Sequence, residues 1–321
     1  MDEKTNFFRL VRREGPQFVP WRIPAAGLHY YGCNPQDSRP EGATIGSRWR
    51  DIWNVTWDWE LEGVMPFPKD PPLAEPGSLS SYAWPDPHSE AVSGCLRAQF
   101  DAIEDRESKV LTVSHRSTLF ERAWKLMGMD TLMVSMMIDR PRAEAVLDGL
   151  TEFALGIAEE YLAFDPDFVG LGDDLGTQRG PLVNPDLVRE LLVPRYRRIV
   201  EHYRARKPDI VISLHSCGQV TDFLDDFIDL GIDILNPVQA RANDLDDLRR
   251  RTRGRMTLEG GVDTAVVAHG TPVEVRDLVR TRLEQLGRQG EYICHPDQAM
   301  PFPEENRQAL REAVEEFGVL R

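Results

Sequence analysis

Two segments in the second half of the chain carry side chains that could bind a metal ion. His215 and Cys217 are separated by one residue and follow the apolar run 210–214, and Cys294 ends a second apolar run, 291–294. Imidazole and thiolate are preferred ligands of zinc. Three protein ligands with a fourth position left open are typical of catalytic zinc sites. The spacing therefore predicts that His215, Cys217 and Cys294 bind Zn²⁺.

The same three residues also have a purely structural interpretation. Cysteine is one of the most frequently buried residue types, so Cys217 and Cys294 could be small core side chains, with His215 hydrogen-bonded in the core. Their position at the ends of predicted strands favours the metal site, because functional groups of parallel α/β proteins gather where strands end and loops begin. A thiol bound to zinc is deprotonated at neutral pH and becomes a nucleophile.

Polar residues follow the other predicted strands as well. The run 168–172 ends in Asp173 and Asp174, which we interpret as catalytic acid–base residues or metal ligands. Two adjacent residues of an extended strand face opposite sides, and we expect Asp173 to face the site; the alternative is a helix cap or a salt bridge with Arg179. Further candidates for substrate or cofactor binding are Asn236, Gln239, Glu259, Gly261, Asp263 and His115.

The elements that must position these groups alternate between strands and helices after residue 108. Apolar runs predict strands at 17–21, 109–113, 168–171, 210–214, 232–235, 255–258 and 291–294. Amphipathic stretches predict helices at 117–127, 140–163, 186–206, 219–230, 243–251, 272–287 and 304–317. This alternation is typical of parallel strands joined by helical crossovers, which is an α/β fold. We predict a (β/α)8 TIM barrel whose eighth strand lies hidden in the first half of the chain; an open doubly wound sheet is the alternative.

The first 90 residues have a different character. Six of the seven tryptophans and a cluster of prolines between residues 66 and 87 lie there. Disordered segments lack aromatic residues, so we expect an ordered, irregular cover whose residues 30–88 shape the substrate pocket and exclude water. We interpret residues 1–321 as a single domain. Residues 1–90 supply its first strand and the Trp/Pro-rich cover, and residues 91–321 form the main barrel body.

Composition narrows the class of protein. The chain has 38 Lys and Arg against 53 Asp and Glu, for a net charge of −15, and 41% of its residues are hydrophobic. Such an acidic balance disfavours nucleic acid as a partner. No apolar run reaches the ~18 residues of a membrane span, and no secretory signal is visible, so we expect a cytoplasmic protein without a membrane partner. Its four cysteines are then expected to be buried, catalytic or metal-bound rather than bridged.

Several of these stretches resemble the uroporphyrinogen decarboxylase superfamily, and in particular its zinc- and corrinoid-dependent methyltransferase branch. The segments that carry the resemblance are 172–181 (GDDLGTQRGP), 215–218 (HSCG), 231–239 (GIDILNPVQ), 260–263 (GGVD) and 270–275 (GTPVEV), with a looser match at 82–87 and 119–124. The resemblance covers about residues 80–318 and implies a (β/α)8 barrel.

The resemblance leaves two activities to be distinguished. The decarboxylases carry an arginine-rich amino-terminal segment that grips the substrate's carboxylates, and the corresponding residues 20–27 keep only Arg22. The methyltransferases use a His-x-Cys pair and a distant cysteine as zinc ligands, and the 77 residues from Cys217 to Cys294 are close to their spacing. Many supply an acidic fourth ligand in the region where this chain has Gln239, so water, substrate or Asp173 would fill that position.

The resemblance therefore implies a zinc-dependent methyltransferase. It would exchange a methyl group between a corrinoid, carried by a separate corrinoid protein, and a thiol, a folate or a methoxylated small molecule, in the last case as a component of an O-demethylase. One alternative is a metal-free decarboxylase that acts on a polycarboxylated tetrapyrrole. Another is a non-catalytic barrel that binds a corrinoid or tetrapyrrole, against which the His-x-Cys pair and Cys294 argue, because binding alone needs no zinc thiolates.

Overall fold

The computed structural model describes residues 1–32, 40, 42–62 and 66–320. The strands are β1 (Ala25–Leu28), β2 (Arg48–Arg50), β3 (Thr56–Asp58), β4 (Phe67–Lys69), β5 (Val110–His115), β6 (Phe168–Gly172), β7 (Val211–His215), β8 (Ile234–Asn236), β9 (Thr257–Glu259) and β10 (Tyr292–Ile293). The helices are α1 (Glu3–Arg12), α2 (Glu90–Asp101), α3 (Phe120–Met127), α4 (Met129–Ile138), α5 (Arg140–Leu162), α6 (Pro185–Leu187), α7 (Val193–Arg206), α8 (Leu224–Asp229), α9 (Leu245–Thr252), α10 (Thr264–His269), α11 (Pro272–Arg282) and α12 (Glu304–Phe317).

Seven strands form one parallel sheet in the order β1-β5-β6-β7-β8-β9-β10. Each of its crossovers from β5 onward contains at least one helix, as parallel neighbours require. The register sets Gly172 beside His215, and His215 beside Asn236. The carboxyl ends of these neighbouring strands therefore meet at one edge, which confirms the predicted α/β fold.

The sheet curls around its own interior. Inward-facing residues of five strands pack into one apolar cluster with helix α1, and four of them begin their strands. The five residues are Val110, Phe168, Val211, Ile234 and Ile293. Helix α1 contributes Phe7, Leu10 and Val11 and closes this end of the sheet. Strands from β5 to β10 can meet in one cluster only if the sheet bends as it does in a barrel. Among the described residues seven strands form this sheet, so a closed eight-stranded barrel is not established.

The first strand is not where the sequence predicts it. The predicted strand 17–21 is wrong: Phe18 forms only an isolated antiparallel bridge with Val319, and Pro20 has no backbone N–H to donate. This segment instead runs alongside β10, where the Cys294 amide donates to the Pro20 carbonyl at 2.9 Å. The actual first strand, Ala25–Leu28, has the sequence AAGL and contains no β-branched residue, so the pattern of strand formers missed it.

The predicted helices are largely confirmed. Helix α12 has the predicted bounds, and α11 begins as expected with Thr271 and Glu274 in a capping box and Pro272 in the first turn. Helices α1, α2, α4 and α10 lie outside the predicted helix ranges. Cys95, in α2, is disulfide-bonded, whereas Cys217 and Cys294 are free thiols. The expectation that the cysteines are not bridged is therefore wrong for Cys95, and Cys33 lies outside the described residues.

The Trp/Pro-rich cover packs on the outer helices. Its strands β2, β3 and β4 form a separate antiparallel sheet. The Trp53 ring lies 4.4 Å from that of Phe153 on α5, and the Trp84 ring approaches so closely that a Cβ at Gly149 would lie 2.2 Å from it. The described residues of the cover thus pack mainly against α5 and its neighbours. Within the described part of the chain, no helix is both long and apolar enough to cross a membrane.

Helix α1 should be essential to stability because it fills the amino end of the sheet. Phe7 is fully buried there, and Phe7→Ala should lower the free energy of unfolding by about 3–5 kcal/mol. Chemical denaturation measures this loss. The matched control is Phe8→Ala, whose ring is only partly buried, and its loss should be clearly smaller. Equal losses in the two variants would contradict the packing described for α1.

Candidate functional site

A cavity of about 680 Å³ opens at the carboxyl end of the curled sheet. Residues of successive strands line it, and most of them alternate along their strand, as the two-residue period of a strand favours. These strand residues are Ala25, Thr112, Val113, Ser114, Phe168, Gly170, Leu171, Gly172, Ser213, His215, Asn236 and Glu259. Volumes of roughly 300–1,000 Å³ are typical of small-molecule sites, and the carboxyl end of a parallel α/β sheet is where such sites lie. The cavity is therefore the candidate active site.

Three potential metal ligands meet at the wall of this cavity. One donor atom from each of Asp174, His215 and Cys217 lies within 4.8 Å of the other two. His215 Nε2 is 3.4 Å from Cys217 Sγ and 3.6 Å from Asp174 Oδ1. Carboxylate oxygen, imidazole nitrogen and thiolate sulfur are all zinc ligands in proteins, so this donor set fits the metal.

Two loops must touch to bring these ligands together. Asp174 belongs to the loop after β6 and Cys217 to the loop after β7, and the Cys217 amide donates to Asp174 Oδ1 at 2.8 Å. A Cβ on Gly218 would lie 2.3 Å from the backbone of Gly176, and Gly218 has a φ of 81°. Only glycine permits this backbone contact and this conformation. Gly176 and Gly218 therefore allow the two loops to touch, and this contact places Asp174 beside His215 and Cys217.

One side chain of the neighbouring strand β8 holds His215. The Nδ1 atom of His215 lies 2.6 Å from Asn236 Oδ1, and because an amide oxygen only accepts, His215 donates this hydrogen bond. Glu259 ends the next strand, β9, and lines the same cavity. Burial raises the pKa of Glu259 above its ordinary value, because it outweighs the opposing effects of His295 and His215. This arrangement leaves His215 Nε2 facing Asp174 and Cys217.

Two glutamines support the Cys217 side of the cluster. Gln298 Nε2 donates to Cys217 Sγ at 3.1 Å, and Gln298 also lines the cavity. Gln239, predicted to bind substrate or cofactor, accepts from the Gly218 amide at 2.9 Å and from Gln178 Nε2 at 3.0 Å. Gln239 does not line the cavity but fixes the loop that carries Cys217. Its effect on the site is therefore indirect.

The surroundings of Cys217 disfavour its thiolate form. Burial, followed by the nearby Asp174 carboxylate, raises the pKa of Cys217 to about 12, against a smaller opposing effect of the Gln298 hydrogen bond. A thiol with such a pKa is neither a nucleophile nor an anionic ligand at neutral pH. A divalent cation bound beside Cys217 would invert this balance, because a cation deprotonates a thiol that coordinates it.

Asp173 and Asp174 have exchanged the positions expected for them. Asp174 lines the cavity, whereas Asp173 is fully buried and points away from it. Asp173 accepts from the amides of Leu119 and Glu121 at the start of α3, and from the Tyr196 hydroxyl. Burial, with a smaller contribution from Glu121, raises the pKa of Asp173 to about 7. The interpretation that Asp173 faces the site is thus corrected: it is a buried anchor for α3.

The structure does not bring Cys294 to the metal-binding cluster. Cys294 follows Ile293, which faces the sheet interior, so Cys294 faces the outer helices and is fully buried in the main core. Its side chain interacts with Tyr292, and burial raises its pKa to about 12. The strand alternation that brings His215 inward directs Cys294 outward. Asp174 therefore replaces Cys294 as the third residue of the predicted ligand set.

His115 also lies outside the cavity. His115 is the last residue of β5, and its side chain is buried away from the cavity, with Nε2 2.6 Å from the Tyr203 hydroxyl. Burial lowers the pKa of His115 to about 3. His115 is therefore neutral at physiological pH. Its environment is that of a core residue with a satisfied hydrogen bond, so the prediction that it binds substrate is corrected.

The two remaining candidates shape loops. The Gly261 amide donates to Asp297 Oδ1 at 2.7 Å, and Gly261 has a φ of 80°, as expected for the turn after β9. Asp263 caps α10 by accepting from the Ala265 amide, and it pairs with Arg241. Neither residue lines the cavity. Both act on the position of the rim rather than on a ligand inside the cavity.

Sequence reasoning missed several groups that line the cavity. Glu121, Ser117 and Tyr31 line it in addition to Gln298, and Tyr31 is the one cover residue of the described part of 30–88 that does so. Residues 30–88 were expected to shape the substrate pocket, and Tyr31 is their contribution among the described residues. Glu121 sits in the first turn of α3, where an acidic residue normally signals only a helix start. The sequence indicates Gln298 only weakly, through its position shortly after the predicted strand 291–294.

Comparison with known proteins identifies the family. The sequence profile named uroporphyrinogen decarboxylase (URO-D) matches residues 61–317. No curated protein matches the chain in sequence. Among solved structures, a methyltransferase from Methanosarcina mazei is similar over 99% of both chains, with a TM-score of 0.71 and 16% identity. A B12-independent methionine synthase from Shewanella sp. W3-18-1 is similar over 70% of this chain and 63% of its own, with a TM-score of 0.46 and 14% identity. The first likeness supports a fold of the TIM-barrel type.

The two adjacent aspartates should respond differently to substitution. Asp173→Ala removes three hydrogen bonds inside the core and should lower the free energy of unfolding by about 2–4 kcal/mol. Asp174→Asn changes a half-exposed side chain and should cost less than about 1 kcal/mol. Urea denaturation of the two variants measures both effects. A larger loss for Asp174→Asn would show that the two residues have been assigned to the wrong sides of the sheet.

Proposed function

Because the chain belongs to the uroporphyrinogen decarboxylase family, we propose that it is the methyltransferase type of this family rather than the decarboxylase type. The proposed reaction exchanges a methyl group between a corrinoid, carried by a separate protein, and a small molecule in the cavity. Thiols, folates and methoxylated compounds are the substrate classes considered. The protein with the similar fold from Methanosarcina mazei is a methyltransferase, which agrees with the proposal.

The observation that carries the proposal is the Asp174–His215–Cys217 cluster at the cavity wall. We propose that these three residues bind zinc and leave further coordination positions for substrate. When bound, zinc supplies Lewis acidity, which lowers the pKa of an acceptor thiol or polarises an ether oxygen. In this proposal Asp174 is the third ligand, instead of the Cys294 that the sequence suggested. The ligand set is then one carboxylate, one imidazole and one thiolate.

The surrounding residues have definable tasks in this proposal. Asn236 holds the imidazole of His215 with Nε2 directed at the cluster. Gln298 donates a hydrogen bond to the sulfur of Cys217 and so reduces its basicity. Glu121 lines the cavity, and burial raises its pKa. A carboxyl group with a raised pKa holds its proton more readily than an ordinary glutamate does, so Glu121 is the candidate for moving a proton to or from the substrate.

The charges of the cavity disfavour the decarboxylase alternative. Three carboxyl groups, Glu121, Asp174 and Glu259, line the cavity, and Arg116 is the one arginine or lysine side chain in the described lining. A polycarboxylated tetrapyrrole needs several cations around its carboxylates, and an acidic wall repels it. A methyl group makes no such demand. The lining is thus better suited to a substrate with few negative charges.

Metal content tests the proposed ligand set. Wild-type protein equilibrated with zinc and desalted should retain about one zinc per chain, as measured by elemental analysis. Cys217→Ala should bind zinc at least about 100-fold more weakly, because loss of a direct ligand exceeds the effect of an outer one. The matched control is Cys294→Ala, which removes the other free thiol of the described residues and should keep the metal. Wild type without stoichiometric zinc, or equal loss in both variants, would contradict the proposal.

Activity assays distinguish methyl transfer from decarboxylation. The zinc-loaded protein should transfer the methyl group of methylcobalamin to a thiolate, forming the thioether and cob(I)alamin, when thiols such as 2-mercaptoethanol or homocysteine are supplied. Cys217→Ala should lower the rate by at least about 100-fold, because loss of the metal removes several kcal/mol of transition-state stabilisation. Cys294→Ala should keep the wild-type rate. Carbon dioxide should not form from uroporphyrinogen. Its release by wild type and Cys217→Ala alike would favour the decarboxylase.

A further inference from the structure

Arg116 is a positive charge at the cavity that the proposed zinc site does not use. It directly follows β5, lines the cavity and is exposed. Among the described residues its guanidinium has no hydrogen-bond or ion-pair partner, although three carboxyl groups line the same cavity. Arg22, in contrast, stacks on Trp21 and does not line this cavity. Because an arginine presents a planar fork of donors that matches a carboxylate, Arg116 is suited to bind an anionic group inside the cavity.

The order of the strands places Arg116 between an aromatic side chain and the metal-binding cluster. The register sets Leu28 of β1 beside Val113 of β5, and Tyr31 and Arg116 each lie three residues further along the chain. On the other side of β5 follow β6 and β7, whose carboxyl ends lead to the cluster. Neighbouring strands lie about 4.8 Å apart, so about 5–10 Å of the sheet separates β5 from the cluster. A benzoate with a substituent opposite its carboxylate spans a distance of this order.

The Tyr31 ring is held in place at this side of the cavity. It stacks on His29 with the ring centres 5.0 Å apart, and its hydroxyl lies 3.1 Å from His29 Nδ1. The Tyr30 ring contacts it edge-on at 5.7 Å. Apolar side chains, among them Ile23 and Val113, line the same cavity. A planar apolar group therefore finds both an aromatic partner and an apolar surface here.

We infer that the small molecule bound in the cavity is an aromatic acid with a single negative charge. Arg116 binds its carboxylate, its ring packs against Tyr31, and its methoxy or thiol group faces the metal-binding cluster. The inference deepens the proposed function and rests on it for the reacting group. One negative charge is what this lining accommodates, because Arg116 is the one arginine or lysine of the described lining and the three carboxyl groups repel further anions.

Titration calorimetry with two ligands of the same shape tests the charge. Wild type should bind 4-methoxybenzoate at least about 10-fold more tightly than the uncharged 4-methoxybenzamide, the effect of hydrogen bonds to a charged group. Arg116→Gln should abolish this preference. The matched control is Arg179→Gln, which removes an exposed arginine of the loop after β6 that does not line the cavity, and it should bind like wild type. Zinc-loaded and metal-free protein should show the same preference, which excludes binding of the carboxylate to zinc.

Reversal of the charge separates a binding role of Arg116 from a structural one. Arg116→Glu should bind 4-methoxybenzylamine more tightly than 4-methoxybenzoate, the opposite of wild type, and a merely structural residue would create no such preference.

A saturated ligand tests the ring. Wild type should bind 4-methoxybenzoate about 2–10-fold more tightly than 4-methoxycyclohexanecarboxylate, the effect of an aromatic pair. Tyr31→Leu, which keeps the apolar bulk, should make the two affinities equal.

Four results would overturn the inference: no detectable binding of 4-methoxybenzoate, equal binding of the acid and the amide by wild type, equal losses in Arg116→Gln and Arg179→Gln, or an unchanged preference in Arg116→Glu. Equal binding of the aromatic and the saturated acid by wild type would overturn its aromatic part. None of these measurements requires methyl transfer. A protein that binds the acid through Arg116 but exchanges no methyl group with cobalamin would refute the proposed function and retain the ligand class.

Discussion

The two-residue period of side chains along parallel strands determines which polar groups reach the cavity. On β7 this period turns Ser213 and His215 inward, and on β8 it turns Ile234 and Asn236 inward. The same rule sends Cys294 to the outer helices, because its neighbour Ile293 faces the interior. A shift of one residue in any strand would exchange its inward and outward groups. The composition of the site is therefore a direct consequence of strand register.

The register alone does not assemble the metal-binding cluster, because Asp174 and Cys217 lie in loops beyond the strands. Their approach depends on glycine, since Gly176 and Gly218 allow the two backbones to touch. The resulting cluster is electrostatically unfavourable to a thiolate: burial and Asp174 raise the pKa of Cys217 to about 12. A divalent cation would reverse that effect. The arrangement is thus consistent with groups gathered for a metal ion and is difficult to explain as ordinary packing.

The fold class and most of the elements could be predicted from the sequence, because apolar strands and amphipathic helices leave strong periodic signals. The first strand could not, since AAGL at 25–28 carries no strand preference and the more strand-like segment 17–21 is interrupted by proline. In the site, His215 and Cys217 were identifiable because the motif places both near a strand end. Asp173 and Cys294 were misassigned, because their orientation depends on a register that the sequence does not reveal. Gln298 lies in a loop and Glu121 in the first turn of α3. The sequence does not reveal that they line the cavity, because this depends on how the loop and the helix are placed in the fold.

The number of sulfur ligands tests the central claim most directly. X-ray absorption spectroscopy at the zinc edge of the loaded wild-type protein counts sulfur and nitrogen or oxygen neighbours separately, because Zn–S bonds are about 2.3 Å and Zn–N or Zn–O bonds about 2.0–2.2 Å. A site built from Asp174, His215 and Cys217 predicts one sulfur, with all other neighbours nitrogen or oxygen. Two sulfur neighbours would place Cys294 at the metal and contradict the register described for β10, and a spectrum without sulfur would remove Cys217 from the site.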